Sequence, residues 1–336
     1  MPEGQFHIVP VDVTNAHHVG TVFRSIYGED FPVRDVYEPG TLCREIESGR
    51  LISLLAFDMN GQTAGYASMY KTAPNPRLWE AGNLAVVPAY KYTDISLRLI
   101  RFLFNFAANS ITIIDGIFVE AVCSHYFTQV NAVKNGMVDC ALELDQLDGE
   151  SFKDERNNKA GTARVSCALY FRELTDLSEA EFVPARYNEI LRQIAGSLRP
   201  RILFPSIDSL PTDEKTILEE KYYASARTWK TAIQAIGSDW TVVVEDILDK
   251  AGQRQVMSLQ VTVNMACPHI GSAVDLLRKK GFFFGGMFPR WFGTDGLLMQ
   301  KLFGSEREYE KIKLYTPFSR ELLAFIKSDC EAVRGV

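Results

Sequence analysis

Trp79 to Phe106 reads WEAGNLAVVPAYKYTDISLRLIRFLFNF, and this stretch decides the fold. Leu84, Ala85, Val86 and Val87 form a short apolar run suited to a central strand, and Pro88, with no amide hydrogen to donate, ends its pairing. Beyond the proline, Thr93 or Asp94 is placed to cap a helix whose apolar side chains Ile95, Leu99, Phe102, Leu103 and Phe106 recur at helical spacing. The unpaired N–H groups at such a helix start face the turn, and the positive end of the helix dipole favours an anion there. A pyrophosphate suits that position.

Outward from this junction, the pattern upstream predicts a strand (Phe6 to Val11), a helix (Thr14 to Tyr27), a short helix (Thr41 to Ser48) and strands at Leu51 to Phe57 and Thr63 to Tyr70, joined by an Asn60-Gly61 turn. Downstream it predicts a strand at Ile111 to Val122, a helix at Ser124 to Asn135 and a strand at Met137 to Leu144. A polar loop follows over 145–163, then a strand from Arg164 to Phe171. A helix from Pro184 to Leu198 leads to a second series. That series is a helix at Thr212 to Ile236, strands at Thr241 to Ile247 and Val256 to Val263, a helix at His269 to Lys280, strands at Phe282 to Phe288 and Leu297 to Leu302, and a closing helix near Pro317 to Val333. VEAVCSH at 119–125 aligns without a gap to VNMACPH at 263–269, and each is followed by a helix ending at a glycine, Gly136 or Gly281. The repeat suggests three parts: residues 1–175, a linker and helix over 176–200, and a degenerate second lobe over 201–336. Only the first lobe has the Val-Pro-x-Tyr-Lys turn, so one cofactor site is expected, with a strand that splays away after Val87.

The strand, turn and helix resemble the acyl-CoA-binding motif of the GNAT acyltransferases, in which V-x-P-x-Y precedes R/Q-x-x-G-x-G/A at a helix start. Val86, Pro88, Tyr90 and Lys91 fit; Asp94 and Ser96 stand where the family has glycines, and Tyr92 where a further glycine is common. The likeness to a bacterial two-lobed subgroup extends to Glu120, His125, Thr128-Gln129, Ala141 to Leu144, Arg164 to Ser166 and GFFFGGMFPRWFGTDGLLMQKL. The resemblance implies an α/β fold, a mixed twisted sheet flanked by helices. It also implies acetyl-CoA or another acyl-CoA as substrate, held by Val86, Val87, Tyr90, Lys91, Tyr92, Thr93, Asp94, Ile95 and Ser96 with Thr128 and Gln129. An amine, on a small molecule or a peptide, is then the acceptor. An acyl-CoA sensor without turnover is the alternative, since the glycines are replaced. The tyrosine that often serves the family as acid is also missing from the Asn131 to Met137 segment.

The chain has 336 residues, 46% of them hydrophobic and 23% charged, enough for two domains with cores of their own. A net charge of −6 and the lack of a basic block argue against nucleic-acid and anionic-membrane surfaces, and against a tRNA-dependent relative of the tandem transferases. The start has no basic segment leading into an apolar stretch, and no run nears the roughly 18 apolar residues of a membrane span, so a cytoplasmic protein is expected. The six cysteines are scattered and read as reduced thiols; without C-x₂₋₄-C spacing they suggest no zinc site.

Acyl transfer to nitrogen needs a group to take the amine proton and a donor for the developing oxyanion. Glu120 interrupts an apolar strand and needs a partner, for which Arg164 is a candidate; His125 opens the next helix, where the dipole favours neutral imidazole. Either suits the base, with Tyr126 and Tyr92 as acid candidates. Cys123 beside His125 is a further candidate nucleophile. In the resembled family a backbone N–H near Val86 and Val87 serves as oxyanion donor.

Overall fold

In a computed structural model, residues 6–31, 33–110, 114–149, 164–304 and 308–334 are described. The first half runs β1 (Phe6–Pro10), α1 (His17–Tyr27), α2 (Pro39–Glu47), β2 (Leu51–Asp58), β3 (Thr63–Tyr70), β4 (Leu78–Val86), α3 (Ile95–Ser110), β5 (Gly116–Val122), α4 (Phe127–Lys134), β6 (Val138–Leu147) and β7 (Val165–Glu173). A small parallel pair, β8 (Ala180–Val183) and β9 (Ile202–Pro205), encloses α5 (Asn188–Ala195). The second half runs β10 (Ile217–Tyr223), β11 (Thr228–Ala235), α6 (Trp240–Gln253), β12 (Ser258–Asn264), α7 (Ile270–Lys279), β13 (Phe283–Phe288), β14 (Gly296–Leu302) and α8 (Pro317–Arg334). The first three residues of the expected strand at 111–122, and the expected loop from residue 150 on, lie outside the described residues.

Twelve strands form one mixed sheet in the order β1-β2-β3-β4-β5-β7-β6-β13-β14-β12-β11-β10, with helices against it, the expected fold class. The two halves use one scheme. β4 lies parallel to β5 and β11 parallel to β12, with α3 and α6 as the respective crossovers; β7 then enters between β5 and β6, as β14 does between β12 and β13. The halves meet where β6 pairs with β13 at Ala141 and Gly286. Gly286 has φ +129°, and a Cβ on it would lie 2.4 Å from Ala141 Cα, so the seam closes only on glycine. Beside the seam, Gln300 bonds the β6 backbone, donating to Leu142 O (3.0 Å) and accepting from Leu144 N (2.9 Å).

Two expected elements are corrected. Within the helix expected at 212–236, residues 217–235 form the hairpin β10–β11, turning through Arg227 at φ +47°. Residues 241–247 lie in α6 rather than in a strand: Trp240, Val244, Ile247 and Ala251 are its buried residues, and that spacing is helical despite the β-branched Thr-Val-Val-Val run.

Candidate active site

β4 and β5 pair only at Leu78–Gly116, Trp79–Ile117 and Glu80–Phe118, then separate. β4 carries a bulge against β3 between Tyr66 and Ser68, and Asn83 there has φ +51°. A bulge bends its strand, so the opening begins at Glu80 rather than after Val87. In the second half β11 and β12 pair continuously from Thr228–Ser258 to Ile233–Val263, with no such opening.

The gap belongs to a cavity of about 1540 Å³ that reaches from the start of α3 to the face of β11. At the helix end, Thr93 Oγ1 accepts the Ile95 amide (3.4 Å), and Arg98 N donates to Asp94 O (3.1 Å). Among the described residues no protein acceptor is found for the amides of Asp94, Ser96 and Leu97, and all three residues line the cavity. Val86, Lys91, Tyr92, Thr93, Ile95 and Thr128 line it too. Three of the expected cofactor residues do not. Val87 N is spent on Ala64 O (3.0 Å), so this amide is not a free oxyanion donor. Tyr90 donates its hydroxyl to Asp58 (2.8 Å) and packs on Phe6. Gln129 is fully buried; its nitrogen donates to Lys313 O (2.8 Å) and its oxygen accepts from Tyr315 N (2.9 Å), which straps the 313–315 segment to α4.

At the opposite end Glu120 lines the cavity, but its partner is Lys230 of β11 at 2.8 Å, not Arg164. Arg164 instead donates to Asp145 O (2.7 Å) and Ala226 O (2.6 Å). Lys230 also lies 2.7 Å from Glu143, which is wholly buried, and Gln146 Nε2 donates to the second oxygen of Glu120. Burial works against the Lys230 charge, but Glu120 and Glu143 outweigh it and hold its pKa well above the usual lysine range. Burial, then repulsion from Glu120, pushes Glu143 up to about 8.

Glu80 was not singled out by sequence, although it is a carboxylate inside the strand that opens. Its oxygens accept from Tyr70 (3.0 Å) and Thr72 (2.6 Å), and it lines the cavity where β4 leaves β5. Burial and then Glu120 raise it to about 7, against the opposing hydrogen bond from Thr72. His125 lines the cavity just before α4. Tyr126 does not: it is the N-cap of α4, 47% exposed. Tyr92 is 80% exposed at the rim. Cys123 is buried, which pushes its thiol up to about 12, so it is no thiolate nucleophile at neutral pH. No metal-binding group of His, Cys, Asp and Glu occurs among the described residues, and no helix among them is long and apolar enough to cross a membrane.

No protein-family model matches the chain, and no curated protein matches it in sequence. Solved structures do resemble it over half its length. The ribosomal-protein-S5-alanine acetyltransferase of Vibrio fischeri is 11% identical, covering 52% of this chain and 97% of its own, at a TM-score of 0.41. An N-acetyltransferase of Staphylococcus aureus is 12% identical over 51% of this chain and 99% of its own, TM-score 0.40. The PaiA N-acetyltransferase of Thermoplasma acidophilum, solved with coenzyme A, is 14% identical over 51% of this chain and 99% of its own, TM-score 0.35. The likeness is one of fold. At these identities and scores it says nothing of activity, and the strand order with its single opened parallel junction is what describes the fold here.

Proposed function

We propose that this protein is an N-acyltransferase that moves an acetyl or other acyl group from acyl-CoA to an amine. One observation carries the reading: a single parallel junction opens so that free amides at a helix start and a carboxyl group with a pKa of about 7 share one cavity. The amides of Ser96 and Leu97, with Lys91, suit a diphosphate; Val86 and Thr128 line the way inward. Bound there, acyl-CoA supplies an activated acyl group. Glu80 takes the proton of the acceptor amine, because a base with a pKa near the working pH combines the right protonation state with the right proton affinity. Glu120, pinned by Lys230 and Gln146, holds Glu80 at that value by repulsion. His125 lies in the same cavity and is the second candidate for proton transfer. In this reading residues 1–175 form the acyl-CoA lobe, 176–200 the linker and 201–336 a degenerate copy that closes the acceptor side.

A second reading, an acyl-CoA sensor without turnover, is favoured by Asp94, whose Oδ1 is buried with no hydrogen-bond partner in the same turn. A carboxylate beside a diphosphate is repulsive and leaves weaker binding to be expected. Calorimetry with acetyl-CoA, followed by thiol release over a panel of amines, separates the two. Binding with release supports the transferase, binding without release the sensor, and no binding removes both.

A further inference from the structure

We infer that the acceptor end of the cavity is built for a cation: a small aliphatic amine that enters as an ammonium and bears no carboxylate or phosphate near its nitrogen. The inference rests on the acyl-transfer reading for the word acceptor, while its binding test does not.

The wall carries more carboxylates than cations: Glu80, Glu120, Asp148, Glu219 and Glu220 line it against the ammonium groups of Lys71, Lys221 and Lys230. Lys230 is taken by Glu120 at 2.8 Å and by Glu143, buried behind it, at 2.7 Å, and among the described residues the hydrogen bonds of Glu80 come from the neutral hydroxyls of Tyr70 and Thr72. The wall is also short of a donor. Gln146 is 4% exposed and lines the cavity; its nitrogen is spent on Glu120, and its Oε1 is buried with no hydrogen-bond partner among the described residues. A carbonyl oxygen only accepts, so the partner it fits is an N–H or O–H group. An alkylammonium answers both shortages, with one charge and three donors, whereas a carboxylate on the same ligand would face Glu80 and Glu120.

Binding such a cation moves protons. The titratable groups lining the space are Tyr70 on β3 with Lys71 after it, Glu80 on β4, Glu120 on β5, His125 before α4, Asp148 after β6, Cys167 on β7, Glu219, Glu220, Lys221 and Tyr223 on β10 and Lys230 on β11, with Glu143 of β6 buried behind Lys230. Glu80 sits at about 7 because burial and then Glu120 disfavour its charged form. A bound ammonium beside it favours that form, so a proton is released and affinity rises as pH climbs from about 6 to about 8.

Calorimetry of putrescine against γ-aminobutyrate, which replaces one ammonium by a carboxylate, tests this on the whole chain without acyl-CoA. Putrescine should bind at least about tenfold tighter, the weight of a hydrogen bond to a charged group, with proton release visible as a dependence of the heat on the buffer. Glu80→Gln should abolish most of the release, and Gln146→Leu should weaken putrescine without touching the charges. Equal affinity for the two ligands, or no binding of either, overturns the inference. Acetyl-CoA titrated into the same samples keeps the readings apart: if it alone fails, the acyl-transfer reading falls and the cation site stands.

Discussion

Lys230 and Glu80 occupy one wall yet should answer mutation differently. Lys230 is the cation paired with Glu120 and Glu143, so Lys230→Met leaves Glu120 with only its bond from Gln146 and should cost about 3 kcal/mol of stability, read from the denaturant midpoint. Glu80→Gln keeps the shape; its carbonyl oxygen still accepts from one of the two hydroxyls, Tyr70 or Thr72, and its amide nitrogen donates to the other. It should leave folding and acyl-CoA affinity intact while turnover falls at least about 100-fold. In the unmutated protein turnover should rise with pH through about 7, since Glu80 acts as base only after losing its proton. A normal rate in Glu80→Gln would shift the role to His125. Cys123, with its thiol pushed up to about 12, should resist alkylation in the folded protein at neutral pH and react only on denaturation, which peptide mass spectrometry can follow.

The turns leading into α3 and α6 are counterparts with opposite outcomes. In the first, the amides of Ser96 and Leu97 face the cavity. In the second, the turn is covered by its own chain: Gly237 N donates to Thr216 Oγ1 (3.0 Å) and Ser238 N to Glu214 O (2.9 Å). A Cβ on Gly237 would lie 2.3 Å from the Lys215 backbone. The segment 214–216 thus covers the turn into α6, the physical counterpart of the missing Val-Pro-x-Tyr-Lys pattern in the second half. Lys91→Glu should weaken acetyl-CoA by about 1 to 2 kcal/mol in calorimetry, below the full value for a charged hydrogen bond because Lys91 is exposed and screened.

Across the whole molecule, buried ionic groups join the halves. Asp115 meets Arg290 (3.1 Å) and Asn75 (2.9 Å), and Asn75 in turn donates to Arg290 O (2.8 Å). Arg201 binds Glu173 and Asp295, whose amide donates to Glu181. Burial, then Asp295, raises Glu181 to about 9 from 4.5. The folded chain therefore keeps a proton that the unfolded chain has lost between those values, and stability falls as pH rises across that window. Glu181→Gln should remove this contribution, narrowing the stability difference between about pH 6 and about pH 8 by roughly 1 to 2 kcal/mol in urea titrations.

The fold was legible in local chemistry. Apolar runs, Pro88, the Asn60-Gly61 turn and helical spacing are properties of neighbouring residues. The hairpin at 217–235 was not legible, because its exposed strand β10 carries charge and lacks a clear apolar face; that error hid Lys230. The partners of Glu120 were likewise decided only by tertiary structure. β5 and β11 are separated in the sheet by β7, β6, β13, β14 and β12, and only the coiling of the sheet sets Lys230 against Glu120. The role of Glu80 arises the same way: its spacing from Trp79 is local, but its burial beside Glu120 depends on where β4 leaves β5. Sequence determined which segments become strands and helices, since that depends on adjacent side chains; which charges meet depended on the sheet, since a pKa is set by neighbours in space.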